Sequence, residues 1–354
     1  MIFFLSLPPI SALHNNASLM RFKATIQDQR MLASMCQVCR RTERGSVVVK
    51  LHREELNIFT CATAGNVIRV WASCPTDSVF RDFVAQSTSA SRGSRRDSRG
   101  GDAPEREGDD AILCEIEDTS RLLHALRQAE RFQHASIKLT KSSEELPVLR
   151  VSVKDTQLMV DVSHDVPVQL PNRKLMDTNF LTSASDALCI TLPGLEELTT
   201  FVEKLRIASC ERATFIVYTK CHDSESGQLN CNLVVEAEST HASFELEYKS
   251  LPLKCFNFTD DKTEKGCRMD RENEHDDGDG SRIPGLAGDC RAERPREVLG
   301  SISINMRLLG RFFPIRDLVP HMVYLLVENE DSLKLAIITT ENAKLVAHIP
   351  ALVD

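Results

Sequence analysis

One order of hydrophobic patterns runs through this chain twice, and it limits the possible folds more than any other feature. From Met20 to Ile26 apolar and polar residues alternate, as in a strand with one buried face. Asp28 is placed to cap a following helix with Met31, Leu32, Met35, Cys36 and Cys39 on one side. Three strand-like runs come next, Ser46–His52, Leu56–Ala62 and Asn66–Ser73, joined by polar and Gly-containing turns as in an antiparallel meander. A shorter run, Val79–Ala85, leads into a polar stretch. Beyond it the pattern predicts a strand Ala111–Ile116, a helix Asp118–Arg131, and strands near Ala135–Thr140, Val148–Lys154 and Gln157–Ser163. The order begins again at Ala187. A strand to Leu192 is followed by a helix Gly194–Arg206 and by strands Ala213–Lys220, Gln228–Ala237 and His241–Lys249. A second polar stretch follows. The half then closes with a strand Val298–Asn305, a helix from Met306 to about Phe313, and strands near Met322–Val327, Leu333–Thr339 and Lys344–Ile349.

The two polar stretches, residues 86–110 and 259–297, are dominated by Gly, Ser, Arg, Asp and Glu. That composition cannot bury a core and reads as disordered loops. Both fall at the same step of their half, so they read as insertions into a scaffold that tolerates them. The length of 354 residues leaves room for two domains of ordinary size. The fold class expected is α+β: two copies of one domain, each with antiparallel sheets and two helices on one face. The first copy is assigned to residues 20–170 and the second to 187–354, with residues 171–186 as an extended connector. Residues 1–19 read as a loose extension or a start read too early. They lack a basic region, contain Pro8 and Pro9, and are too short to span a bilayer. No other membrane segment is expected.

The 12 cysteines are spread thinly along the chain, which reads as reduced thiols of a cytosolic or nuclear protein. Cys36 and Cys39 are the one close pair. No second CxxC or HxxxH completes a set of zinc ligands. Both lie on the apolar side of the first helix, so they are expected in the core.

Two helices per repeat on one face of antiparallel sheet, twice over, resembles the proliferating-cell-nuclear-antigen class of sliding clamps. Three patches of sequence narrow this: MRFKATI from Met20, VSHDVPVQLPNRKL from Val162 to Leu175, and the ending HIPALVD. They resemble the Hus-one family of subunits of the nine-one-one checkpoint clamp. The overall pattern covers Met20 to Asp354, while the specific matches cover the three patches alone. The first 19 residues and both insertions depart from the family pattern. The resemblance implies a heterotrimeric ring with two paralogous clamp subunits, encircling double-stranded DNA in the nucleus. It implies loading by an ATP-driven clamp loader, recruitment of checkpoint and repair proteins, no cofactor and no catalysis. A replicative processivity clamp that forms homotrimers is the alternative.

The helices carry an asymmetry of charge that bears on DNA. On the first, Arg30, Arg41 and Arg44 lie opposite Leu32, Met35, Cys36 and Cys39. On the second, Arg127 and Arg131 lie opposite Leu122 and Leu126. On the fourth, Arg307 and Arg311 lie opposite Leu309 and Phe313. The third breaks the pattern, since Glu196, Glu197 and Glu203 outnumber Lys204 and Arg206. The four stretches Asp28–Arg44, Asp118–Arg131, Gly194–Arg206 and Asn305–Arg316 together carry +5, the whole chain −8, and the remainder therefore −13. A basic lumen inside an acidic ring would hold a duplex by its phosphates without reading bases, so that it slides. Arg30, Arg41, Arg44, Arg127, Arg131, Lys204, Arg307 and Arg311 are the candidate DNA contacts. Any one exposed Arg is also an ordinary helix surface residue; the repetition over three helices is what points to phosphate.

The resemblance further implies a groove for partner peptides beneath the connector, beside the last strand. Its candidates are Leu175, Met176 and Phe180 with Ile349, Pro350 and Ala351. The alternative is that these residues anchor the connector and the chain end. Clamp subunits join by strand pairing, and the candidate edges are Ala135–Thr140 and His241–Lys249. His164–Asp165 reads as structural rather than as an acid–base pair. Asp277, Asp279 and Ser281 lack the glycine and glutamate of a calcium loop. Ser94 and Ser98, beside Arg95, Arg96 and Arg99, are candidate modification sites in otherwise disordered sequence. No P-loop, GxSxG, HExxH or paired-carboxylate motif is evident. An enzyme with a dispersed acidic dyad, or a two-domain scaffold that never touches DNA, are the other readings.

Overall fold

The computed structural model describes residues 21–42, 46–60, 67–86, 111–132, 134–155, 159–169, 187–219, 230–254, 297–313 and 319–352. In the first half, β1 (Arg21–Ile26) turns Phe22, Ala24 and Ile26 inward. The carboxylate of Asp28 accepts the Met31 N–H at 2.9 Å and starts α1 (Gln29–Thr42). The meander β2 (Val47–Leu51), β3 (Glu55–Thr60) and β4 (Arg69–Pro75) follows. A short helix, α2 (Thr76–Val79), precedes β5 (Phe80–Gln86). Next come β6 (Ile112–Ile116) and α3 (Thr119–Ala129), capped by the Asp118 side chain, then β7 (His134–Lys141), β8 (Pro147–Asp155) and β9 (Val160–Pro167).

The second half repeats the order. It runs β10 (Leu188–Leu192), α4 (Glu196–Ile207), β11 (Arg212–Thr219), β12 (Asn230–Glu238) and β13 (Ser243–Lys254). It closes with β14 (Val298–Asn305), α5 (Met306–Phe312), β15 (Pro320–Glu328), β16 (Ser332–Thr339) and β17 (Lys344–Pro350).

Two antiparallel sheets result. One has the order β5-β1-β7-β8-β9, and the other runs through twelve strands as β14-β11-β12-β13-β10-β15-β16-β17-β4-β3-β2-β6. The second sheet crosses from one half to the other where β17 pairs with β4, from Lys344 against Ser73 to His348 against Arg69. The periodicity of the sequence holds no sign of this junction. The inner faces of both sheets and the buried sides of α1, α3, α4 and α5 share one hydrophobic cluster that spans both halves. Cys36 and Cys39 lie in it, fully buried. Burial pushes the thiols of Cys36, Cys74 and Cys114 up to about 12, so they are neutral packing groups.

The halves differ at one step. In the first, α2 and then β5 return the chain to β1, and the Ser78 hydroxyl donates to the Pro75 carbonyl at 2.7 Å. The hydrophobic pattern shows neither this helix nor its use as a corner. In the second half a single long strand does the same work. At Ser250 the backbone takes φ 60°, its N–H bonds Asn232 Oδ1 at 3.0 Å, and beyond it Leu253 and Lys254 pair with β10.

The expected edge Ala135–Thr140 is corrected. It falls in β7, which pairs with β1 on one side and β8 on the other. Among the described residues the end strands of that sheet are β5, which pairs with β1 alone, and β9, which pairs with β8 alone. The second expected edge falls in β13. Among the described residues its flank from Ser243 to Tyr248 is paired only with β12, so the other side is open.

Candidate nucleic-acid interface

The helices line up as α3, α1, α5, α4, each touching the next, with α1 and α5 meeting across the junction of the halves. Their apolar sides are committed to the core, so their opposite sides form one surface. Arg30 and Arg41 on α1, Arg127 on α3, Arg131 just beyond it, Lys204 on α4, and Arg307 and Arg311 on α5 are all exposed there. Arg44 lies outside the described residues. The structure adds Arg40, Arg121 and Arg206, exposed on the same helices. They sit at the margins of the helical faces, where spacing alone does not single them out.

The helical layer is drawn together by small details. Arg127 donates to Gln37 Oε1, tying α3 to α1. The stem of Arg206 lies against Gly310 of α5, with Cδ 3.5 Å from where a Cβ would sit. Asn305 caps α5 by accepting the Arg307 N–H at 2.8 Å. Guanidinium groups on such a surface supply forked donors that match phosphate oxygens. Helix α4 contributes less, because exposed Glu196 and Glu197 stand at its start. Ile207, 79 % exposed, ends it.

The opposite face of the twelve-stranded sheet behaves differently. Val48, Phe59, Leu326 and Val346 are buried there, although the helices pack on the other side. Glu328 and Lys334 are also buried on it as an ion pair at 2.7 Å, with Ser332 donating to the same carboxylate. His348 lies beside Lys334 in the ladder; burial first, then Lys334 and Arg69, hold its imidazole below the ordinary value. Ligand atoms of Glu328, Asp331 and His348 come within 4.8 Å of one another. The Lys334 ammonium already supplies the cation at that carboxylate, so we read the group as an internal ion pair. Its residues are separated in sequence and carry no motif spacing, so sequence patterns hold no sign of it.

Of the expected peptide groove, Leu175, Met176 and Phe180 lie outside the described residues. Ile349 is a correction: it is fully buried and points with Leu345 and Ala347 into the helix-side core, because strand alternation sends it inward. Pro350 alternates to the other face, and Ala351 packs against the core with its N–H on the Asp331 carbonyl at 2.9 Å. His164 and Asp165 point to opposite faces of β9. Asp165 accepts two bonds from Arg150, at 2.6 and 2.8 Å, which hold its carboxyl below the usual carboxylate range. His164 stacks edge-on with His124 of α3 at 5.8 Å. Residues 94–99 and 277–281 lie outside the described residues.

The family profile of Hus1-like proteins matches residues 20–93 and 104–353. The chain belongs to the Hus1-like family. Comparison of this Hus1-like chain with curated proteins gives no match. Among solved structures it is similar to the proliferating cellular nuclear antigen of Entamoeba histolytica, with TM-score 0.57 and 10 % identity over 94 % of this chain and 99 % of that one. It is similar to the A. fulgidus PCNA bound to the C-terminal region of FEN-1, with TM-score 0.56 and 10 % identity over 95 % and 99 %. A third likeness is to the PCNA2-PCNA3 complex of Sulfolobus tokodaii, with TM-score 0.54 and 9 % identity over 93 % and 98 %. At such identities these likenesses show the fold, which is the sliding-clamp fold with two tandem domains. Among the described residues no helix of the Hus1-like chain is long and apolar enough to cross a membrane.

Proposed function

We propose that this chain is a non-catalytic subunit of a heterotrimeric clamp that encircles duplex DNA in the nucleus and recruits checkpoint and repair proteins. The observation that carries the reading is the continuous row of four helices whose exposed sides bear Arg30, Arg41, Arg127, Arg131, Arg307 and Arg311. A surface of arginines without a base-reading element holds phosphate and leaves sequence unread. The junction of β17 and β4 supports a ring. It joins the last strand of one domain to the third meander strand of the other, and among the described residues the equivalent strands β9 and β13 each have an open flank. Repeating that junction between chains is head to tail, the arrangement that closes rings. The solved PCNA2-PCNA3 complex is an assembly of different clamp chains on the same fold.

The test is the mass in solution by light scattering, alone and after co-expression with two paralogous clamp chains. We expect a ring with one copy of each chain, retained on circular DNA. A stable trimer of this chain alone would establish the homotrimeric processivity clamp instead. A chain that joins no ring under either condition would remove the clamp reading.

A further inference from the structure

The five-stranded sheet turns one face to the helices and carries a basic tract on the other. On that other face Lys23 of β1 stands directly opposite Lys138 of β7. Arg21 lies two residues along β1 on the same face, and all three side chains are exposed. Like charges opposed across strands repel, so folding gains nothing from the lysine pair. The second half shows what else these positions can hold. The first strands end at the paired residues Ile26 with Ala135 and Leu192 with Val323, and counting back the same number of pairs leads to Lys23 with Lys138 and to Cys189 with Leu326. Cys189 and Leu326 are fully buried. One fold thus carries covered apolar residues there in one half and bare lysines in the other, and the strand ladder dictates neither.

Among the described residues none of the three cations forms an ion pair; the pairs on this face are made by Arg150 and Lys154. The row from Lys23 and Lys138 continues through Arg150 to Asp165. Asp165 gives both its oxygens to Arg150, at 2.6 and 2.8 Å, and Lys138 acts on it only through space. A basic tract is left over, on a chain of net charge −8.

We infer that this face binds an extended acidic segment of another protein, with carboxylates at alternate residues. Side chains on one face of an extended chain recur about every 7 Å, and neighbouring strands lie about 5 Å apart. Arg21 and Lys23 are two residues apart on one strand, so their spacing matches carboxylates at alternate positions of a partner lying along β1. Lys138 stands beside them, one strand over, and closes on the same carboxylates from the side. Nucleic acid does not suit the face. Proteins hold single strands with aromatic side chains that stack on the bases. Here the phenylalanines of β1 and β5 turn inward and pack on one another, and among the described residues no Phe, Tyr or Trp stands on the basic face. The arginine row that suits a duplex lies on the helical side. The inference therefore stands whether or not the chain enters a ring.

The experiment is fluorescence anisotropy of a labelled peptide of alternating Glu and Ser, titrated with the full chain and with double variants. One variant is Lys23→Glu with Lys138→Glu, on the basic face. Another is Arg127→Glu with Arg307→Glu, on the helical side. A peptide with Gln in place of Glu controls for charge. We expect the wild type to hold the Glu peptide and not the Gln peptide, and to hold it less tightly as salt rises. The Lys23 and Lys138 variant should weaken binding by about tenfold or more, and the helical variant by less than about twofold. Lys23→Gln with Lys138→Gln should give a smaller loss in the same direction, which separates lost attraction from added repulsion. Equal affinity in the wild type and both lysine variants would overturn the inference, as would a loss that follows the helical variant instead. Displacement of the peptide by a single-stranded oligonucleotide, whose own binding also falls in the lysine variants, would make the face a nucleic-acid site and overturn it too. Peptide binding that strengthens about tenfold when residues 260–279 are deleted would assign the face to the chain's own acidic stretch rather than to another protein.

Discussion

At the scale of single residues, chemistry is concentrated in a few buried polar groups on the face away from the helices. Lys334→Met removes the ammonium from a buried carboxylate at Glu328, and we expect a loss of about 3–5 kcal/mol in denaturant unfolding. Replacing both residues by apolar ones of similar size should cost far less, because no buried charge remains. His348 gives a pH signature. Its folded-state value lies below the ordinary one of 6.5. The unfolded chain therefore binds the proton more readily. Its contribution to stability is fully present above 6.5 and is lost as pH falls from there through the folded value. His348→Phe should flatten that acidic limb of the melting-temperature profile. Asp165 adds a component of the same sign in the carboxylate range, softened by its exposure beside Arg150. These groups are illegible in the sequence. Glu328, Lys334 and His348 become neighbours through strand register alone, and a lone His in an alternating strand looks like any other.

At the scale of elements, the sequence is a good guide because each strand has one buried face and each helix one apolar side. Met31, Met35 and Cys39 on α1 mark their helix as clearly in the sequence as in the core. The short α2 escapes because four residues hold too few positions for a period. The long reach of β13 escapes because it depends on the left-handed backbone at Ser250, a residue with no special claim to that conformation. Caps are legible: Asp118 accepts the Arg121 N–H at 3.2 Å. Asp118→Ala should cost about 1 kcal/mol in thermal or chemical unfolding. Gly300 is not. A Cβ there would meet Asn329 Oδ1 at 2.6 Å and Leu188 Cδ1 at 2.7 Å. Asn329 holds the Ser301 N–H at 3.1 Å. We therefore expect Gly300→Val to break that bond and lower the melting temperature more than Gly300→Ala does.

At the scale of the molecule, net charge and local charge disagree, and the disagreement is informative. The chain is −8 overall while arginines gather on one helical layer. In the assembled ring we expect Arg127→Glu with Arg307→Glu to shorten retention on circular DNA. The steepness of its salt dependence should fall by roughly one for each phosphate that is no longer neutralised. Lys204→Glu should do less, since acidic residues already share α4. Equal effects at both places would show that the basic tract is not biased toward α1, α3 and α5. The surface itself can be foreseen from helical spacing. The arrangement of the helices in a single row cannot, since it follows from long-range strand pairing.

The seam between β17 and β4 also has a mechanical meaning. Five consecutive residue pairs join the halves there, and one core lies beneath them. The two domains are thus planks of one stiff board rather than beads on a string. In the proposed ring we expect no bending at this seam. If the proposed ring admits a duplex, we expect it to part at a boundary between chains, with this chain carrying the load along its length as one piece.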